Sequence, residues 1–132
     1  MIGWLGSLAQ YDMLRAEYFG VKEIYDTGTI RVPQPIAVGV SDYDAFVVFE
    51  KLSLGGFGKP ERMAEKLAAM HRCTSPNGKF GWKMNNTIGA TFQPNGETES
   101  WSEFWDKNRL GHMLSLAKRE GFEAYHPSHT HA

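Results

Sequence analysis

The chain has 132 residues, which predicts a single domain, and its 42% hydrophobic and 13% aromatic content is enough for a packed core. A formal net charge of −1 and a pI near 6.5 exclude a dedicated nucleic-acid binder, which carries a basic excess. No apolar run approaches the roughly 18 residues of a membrane span, and a single cysteine, Cys73, excludes an internal disulfide and suits a reducing compartment.

Residues 1–11 are mildly apolar and lack the basic region and cleavage pattern of a signal peptide; they predict no element. Leu14, Tyr18, Val21 and Tyr25, with Ile24 widening the stripe, predict a helix over 12–27, capped by Asp12 and stopped at Gly28. Glu17 borders that stripe. Pro33 and Pro35 forbid a central strand and favour an extended connection. Residues 36–40 predict a short strand, Ser41 to Asp44 a turn, and 45–50 a second strand, so apolar that both its faces are expected to be buried. The two strands predict an antiparallel hairpin, which needs a partner layer.

After the break at 54–58, a helix is predicted from Lys59 to about Arg72. Pro60 lies in its first turn and Met63, Leu67 and Met70 form its stripe. The stretch 73–97 has no period and exceeds an ordinary connection, the mark of a functional or disordered loop. Ser100 and Glu103 read as a capping box opening a third helix. Trp101, Phe104, Trp105, Leu110, Met113, Leu114 and Ala117 give that helix a broad apolar face. Gly121 ends it, and 122–132 read as a frayed tail.

Several motifs are weaker than they look. Gly55-Gly56-Phe57-Gly58-Lys59-Pro60 is no phosphate loop, because Pro60 replaces the Ser or Thr after the lysine and Ser53 stands at the first glycine. His126, His129 and His131 lack the further ligands of a structural zinc site, and no metal site is expected. His71 reads as a core or boundary histidine, and His112 has no identifiable partner. Cys73 has no neighbouring base to activate it. Trp101, Phe104 and Trp105, at helical spacing, read as core.

The densest pattern is Phe80-Gly81-Trp82-Lys83-Met84-Asn85-Asn86-Thr87-Ile88-Gly89-Ala90-Thr91-Phe92-Gln93-Pro94-Asn95, rich in Gly, Pro and Asn yet studded with aromatics and amides. It resembles the signature of the fructosamine kinase (ketosamine kinase) family, close to F-G-W-x-x-D-N-T-I-G-x-x-x-Q-x-N. Other words follow that family in order: Glu17, Thr27-Gly28-Thr29-Ile30-Arg31-Val32-Pro33, Phe46-Val47-Val48-Phe49-Glu50-Lys51-Leu52, Leu67-Ala68-Ala69-Met70-His71, Trp101-Ser102-Glu103-Phe104 and Arg109-Leu110-Gly111. One departure is Asn85, where the family usually has Asp.

The resemblance implies an α+β fold, an incomplete protein-kinase-like domain made of an αC-type helix, a two-stranded antiparallel hairpin, a hinge and the first helices of the large lobe. It divides residues 1–132 into an N-terminal segment (1–11), a small-lobe remnant with hinge (12–52), the start of the large lobe (53–121) holding the signature loop 80–95, and the tail. It implies ATP-dependent phosphorylation, with magnesium, of the sugar 3-hydroxyl of ketosamines on glycated protein or small amines, which leads to deglycation. Glu17 resembles the αC acid that pairs with a phosphate-gripping lysine. Phe49 would back the nucleotide pocket, and the backbone of Glu50 and Leu52 would meet the adenine edge. Asn86, Gln93 and Asn95 would bond sugar hydroxyls, Trp82 would stack on the sugar, or the amides would stitch the loop to itself.

No lysine precedes Glu17, and no H-G-D-L-W-x-G-N segment is present. The isolated chain is therefore expected to be inactive, marginally stable, and prone to self-association or in need of further segments. A non-catalytic nucleotide- or sugar-binding module is the alternative. Neither nucleic acid nor membrane is an expected partner. The resemblance places the protein inside the cell, in cytoplasm or plastid.

Overall fold

The computed structural model describes residues 1–55 and 58–122, which form two compact units, Met1–Gly78 and Lys79 onward. The three C-terminal histidines lie outside the described residues.

In the first unit a strand β1 (Ile2–Ser7) leads through a 3₁₀ turn (Leu8–Gln10) into helix α1 (Tyr11–Asp26). Thr27 closes the helix, its hydroxyl donating to Ile24 O at 2.7 Å, and Gly28 leaves it at φ 63°. Strands β2 (Pro35–Val40) and β3 (Asp44–Phe49) form the expected antiparallel hairpin, closed by Ser41 N–H donating to Asp44 O at 2.7 Å. Pro35 opens an edge strand, where its missing N–H costs no ladder bond.

The sequence assigned no element to residues 2–7, yet they pair with the free edge of β3, Ile2 opposite Phe49 and Ser7 opposite Asp44, giving a sheet ordered β1-β3-β2. Gly3 and Gly6 interrupt any alternation in that segment, so only the partner some forty residues away defines it. The strand β3 is buried on one face rather than both. Ala45, Val47 and Phe49 face Leu14 of α1 and are buried, whereas Phe46 and Val48, on the alternate face, are half-buried. Phe46 lies across Gly39, its paired residue, so closely that a methyl there would meet the ring at 2.9 Å.

Helix α2 (Pro60–His71) starts at Lys59 with Pro60 in its first turn, as expected. Its stripe is only partly covered: Met63 and Leu67 are exposed, and Met70 is half-buried. His71 is also exposed, not a core histidine. Tyr25, Thr29, Arg31, Val32 and Lys66 line an open groove of about 430 Å³.

Within the stretch read as a functional or disordered loop, the second unit forms a hairpin, β4 (Asn86–Ile88) and β5 (Thr91–Gln93), turned at Gly89-Ala90 with Gly89 at φ 58°. Phe80 and Thr98 exchange both backbone hydrogen bonds just outside it. The third helix is divided. Helix α3 (Trp101–Trp105) passes through a π-helical turn (Asp106–Gly111) into α4 (His112–Arg119), and Gly121 follows at φ 86°. Half of the capping box forms: Ser100 Oγ accepts from Glu103 N–H at 3.2 Å. The Glu103 carboxylate instead takes Lys107 at 2.7 Å, a pair one helical turn away. Of the broad apolar face only Phe104 is buried, while Trp101, Trp105, Met113 and Leu114 are about half exposed. No helix among the described residues is long and apolar enough to cross a membrane.

Candidate functional site

In the second unit, the chain before and after the β4–β5 hairpin is drawn together at its base. Trp82 N–H donates to Asn95 O at 2.8 Å. Gly81 makes this approach possible: its φ is 139°, and a methyl there would lie 2.8 Å from Asn95 O and from the Glu97 Cα. Within the F-G-W word, Gly81 is thus a packing requirement.

Asn95 is the centre of the loop and is only 3% exposed. Its Nδ2 donates to Met84 O at 3.0 Å and to Asn86 Oδ1 at 2.8 Å, and its Oδ1 accepts from Arg109 Nη2 at 2.6 Å. A carbonyl only accepts and an arginine only donates, so this position needs a side chain that does both. Asp lacks the donor and Gln is a carbon too long. The backbone N–H of Asn95 donates to Asn85 Oδ1 at 2.8 Å. An oxygen acceptor is all that this bond uses at position 85, and the carboxylate of an Asp supplies the same atom. The departure from the family pattern therefore leaves this contact intact.

Asn86 and Gln93 face each other across the hairpin, so their side chains share one face. Asn86 Oδ1 is held by Asn95, which leaves the Asn86 amide nitrogen with no partner among the described residues; the Gln93 amide likewise has none. No buried polar side-chain atom lacks a partner among those residues, so these amide groups reach water. Of the amides singled out from sequence, Asn95 is thus engaged within the loop, while Asn86 and Gln93 present donors and acceptors side by side. Trp82, at the base of the loop, is half-buried.

Sequence reasoning missed Arg109 and His112. The Arg109 guanidinium lies over the Phe104 ring, 4.6 Å from its centroid, and burial draws it below its ordinary value, though arginine stays charged. His112, for which no partner was identifiable, has its Nε2 2.9 Å from Phe92 O and its ring edge-on to Phe92. A carbonyl can only accept, so this nitrogen carries the proton. Neither the Arg109–Asn95 bond nor the His112–Phe92 contact shows in the sequence, because the partners lie 14 and 20 positions apart.

In the first unit, Phe49 is buried and stacked on Tyr18 at 6.4 Å. The Glu50 side chain is anchored by Arg31 at 2.5 Å and by Gln34 N–H at 3.1 Å, and Glu50 N–H donates to Gln34 O at 2.9 Å. The Glu50 carbonyl and the Leu52 N–H make no hydrogen bond among the described residues. Glu17 is exposed, and none of the described residues forms an ion pair with it. The groove near Arg31 and Lys66 contains none of the nucleotide- or sugar-site residues named from sequence, although Thr29, Arg31 and Val32 belong to the Thr27–Pro33 word. Cys73 is exposed, its Sγ 3.7 Å from Ala69 O.

Comparison with known proteins gives a consistent result. The family model described as Fructosamine kinase matches residues 5–131. A probable ketoamine kinase of Synechocystis is 42% identical over 117 residues, covering 87% of this chain and 39% of that protein. The chloroplastic protein-ribulosamine 3-kinase of Arabidopsis thaliana is 34% identical, with 89% and 37% covered. A crystal structure from Haemophilus somnus, named for a fructosamine-3-kinase, matches with a TM-score of 0.78 at 29% identity, over 90% of this chain and 41% of that one. The chain spans about two fifths of the length of these relatives.

Proposed function

The chain belongs to the fructosamine kinase family, and from that premise we propose that it serves ATP-dependent phosphorylation of ketosamines at the sugar 3-hydroxyl, a step toward deglycation of protein amines. The observation that carries this reading is the Asn86–Gln93 pair: two water-facing amides on one face of a hairpin, one of them oriented from behind by a buried asparagine. Amides both donate and accept, which matches the hydroxyls of a sugar. Trp82, at the loop base, is assigned to the sugar face. Asn95 acts behind the site by setting the angle of Asn86.

For the nucleotide, the residues present fit an adenine edge. The unpaired Glu50 carbonyl and Leu52 N–H offer one acceptor and one donor two residues apart, and the Arg31 and Gln34 contacts fix the segment that carries them. Bound ATP would supply the transferable phosphoryl group. For magnesium the residues do not fit. Asp12, Asp26, Asp42, Asp44 and Asp106 are all exposed, and among the described residues no three of His, Cys, Asp and Glu gather into a cation site.

On this reading the 132 residues by themselves bind without turning over. An ATP-to-ADP assay with a fructosylated lysine and magnesium should stay at background, and turnover well above background overturns this reading. Titration with fructosyl-lysine should shift the Asn86 and Gln93 side-chain amide signals in NMR; no shift at saturating ligand overturns the sugar assignment. The half-exposed Trp101, Trp105, Met113 and Leu114 favour self-association, and a compact monomer on size exclusion would count against it.

A further inference from the structure

A row of side chains from the helical segment grips the second strand of the hairpin and its continuation. Asn108 Nδ2 donates to Gly96 O at 2.8 Å, Arg109 Nη1 to Pro94 O at 2.7 Å, and His112 Nε2 to Phe92 O at 2.9 Å. The three carbonyls belong to alternate residues, and in extended chain alternate residues point the same way. The helix thus reads one edge of residues 92–96 in antiparallel sense.

The π-helical turn is part of the device. Asn108 and Arg109 both lie in Asp106–Gly111, where the wider turn brings consecutive side chains closer in direction than the 100° of an α-helix. Gly111 accommodates it, for a methyl there would stand 2.5 Å from Asp106 O. Arg109 has a second role: while Nη1 holds Pro94 O, Nη2 holds Asn95 Oδ1 at 2.6 Å, and Asn95 in turn holds Asn86 Oδ1. Only a planar fork serves both acceptors at once; a lysine ammonium is a single point.

We infer that Arg109 is a positioning residue for the ligand face of the hairpin, orienting the Asn86 amide through Asn95, with His112 pinning the neighbouring Gln93 side from Phe92. The inference deepens the proposed sugar site and rests on that reading. It also assigns a purpose to the Arg109-Leu110-Gly111 word, which carries no chemistry of its own.

The test compares the native chain with Arg109→Lys and His112→Phe by NMR, reading the order of the Asn86 and Gln93 side-chain amides without ligand and their titration with fructosyl-lysine. Arg109→Lys should loosen the Asn86 amide and weaken fructosyl-lysine at least fivefold, with the β4–β5 backbone cross-peaks retained. An Asn86 amide as ordered as in the native chain overturns the inference, and so does unchanged affinity when the amide has loosened. If the native chain does not bind fructosyl-lysine, the proposed function fails, and the order of the Asn86 amide still decides the role of Arg109. Should Arg109→Lys not fold, His112→Phe decides alone. It keeps a ring beside Phe92 without the N–H, so it should loosen Gln93 and leave Asn86 unchanged; equal loosening of both, or of neither, overturns the inference.

Discussion

Replacing Asn95 tests the centre of the loop. Its side chain makes two neutral hydrogen bonds and one to a charged guanidinium, all from a nearly fully buried position. Neutral bonds contribute about 1 kcal/mol each and a bond to a charged group about 1.5–3 kcal/mol, an upper total of roughly 3.5–5 kcal/mol. Asn86 and Arg109 are only part-buried, so once orphaned they regain water. Asn95→Ala should accordingly destabilise the second unit by about 2–4 kcal/mol, a large share of the roughly 5–15 kcal/mol of a typical domain. Asn95→Asp is the sharper variant. It keeps the Arg109 contact and sets an oxygen against Met84 O and Asn86 Oδ1, so it too must destabilise, although its shape is unchanged. The assay is urea unfolding followed by tryptophan fluorescence in a Trp4→Phe background, in which Trp82, Trp101 and Trp105 all report on the unit that begins at Lys79. With a slope of about 1.5 kcal/mol/M, the alanine variant should lower the midpoint by about 2 M. An Asp variant as stable as the native chain, or an Ala variant within about 0.5 kcal/mol of it, refutes the network argument.

Gly111→Ala puts a methyl against Asp106 O and should collapse the π turn at a cost of about 1–3 kcal/mol; it should also loosen Arg109 from Pro94, read as faster amide exchange at Trp82, and unchanged exchange would contradict this. Leu14→Ala empties the buried face of the three-stranded sheet and should cost about 2–5 kcal/mol by circular dichroism in urea, with a loss under 1 kcal/mol arguing against that core. Arg31 first, and then the Gln34 N–H, hold the Glu50 carboxyl below the usual carboxylate range. Such a group stabilises the fold above its unfolded pKa of about 4.3, and its contribution fades as pH falls through the lower folded value. Glu50→Gln should therefore flatten the acid limb of the stability profile below about pH 5, while an acid limb identical to the native one would show the pair to be idle.

Features set by neighbours in the chain were legible from the residues. Helix α1, the start of α2 at Lys59-Pro60, the β2–β3 hairpin, the stop at Gly28 and the Ser100 cap each depend on groups within about four positions of one another, and the structure places them within a residue or two. The signature loop could be located, and its amides could be divided into two outcomes, ligand contact or internal stitching. Its hairpin was hidden because three-residue strands carry too little alternation to register, although Gly89-Ala90 between two β-prone runs was a turn signal.

What linear order could not supply is the pairing of distant groups. Strand β1 acquires its identity from β3, Arg109 from Asn95 and Pro94, and His112 from Phe92, and no periodicity encodes such meetings. The surroundings of each amide follow in the same way. Asn86, Gln93 and Asn95 are chemically alike, but a hydrogen bond is open to a ligand only where folding has not already completed it, so enclosure by Arg109 and Met84 makes Asn95 a scaffold while the cross-strand register leaves Asn86 and Gln93 facing water.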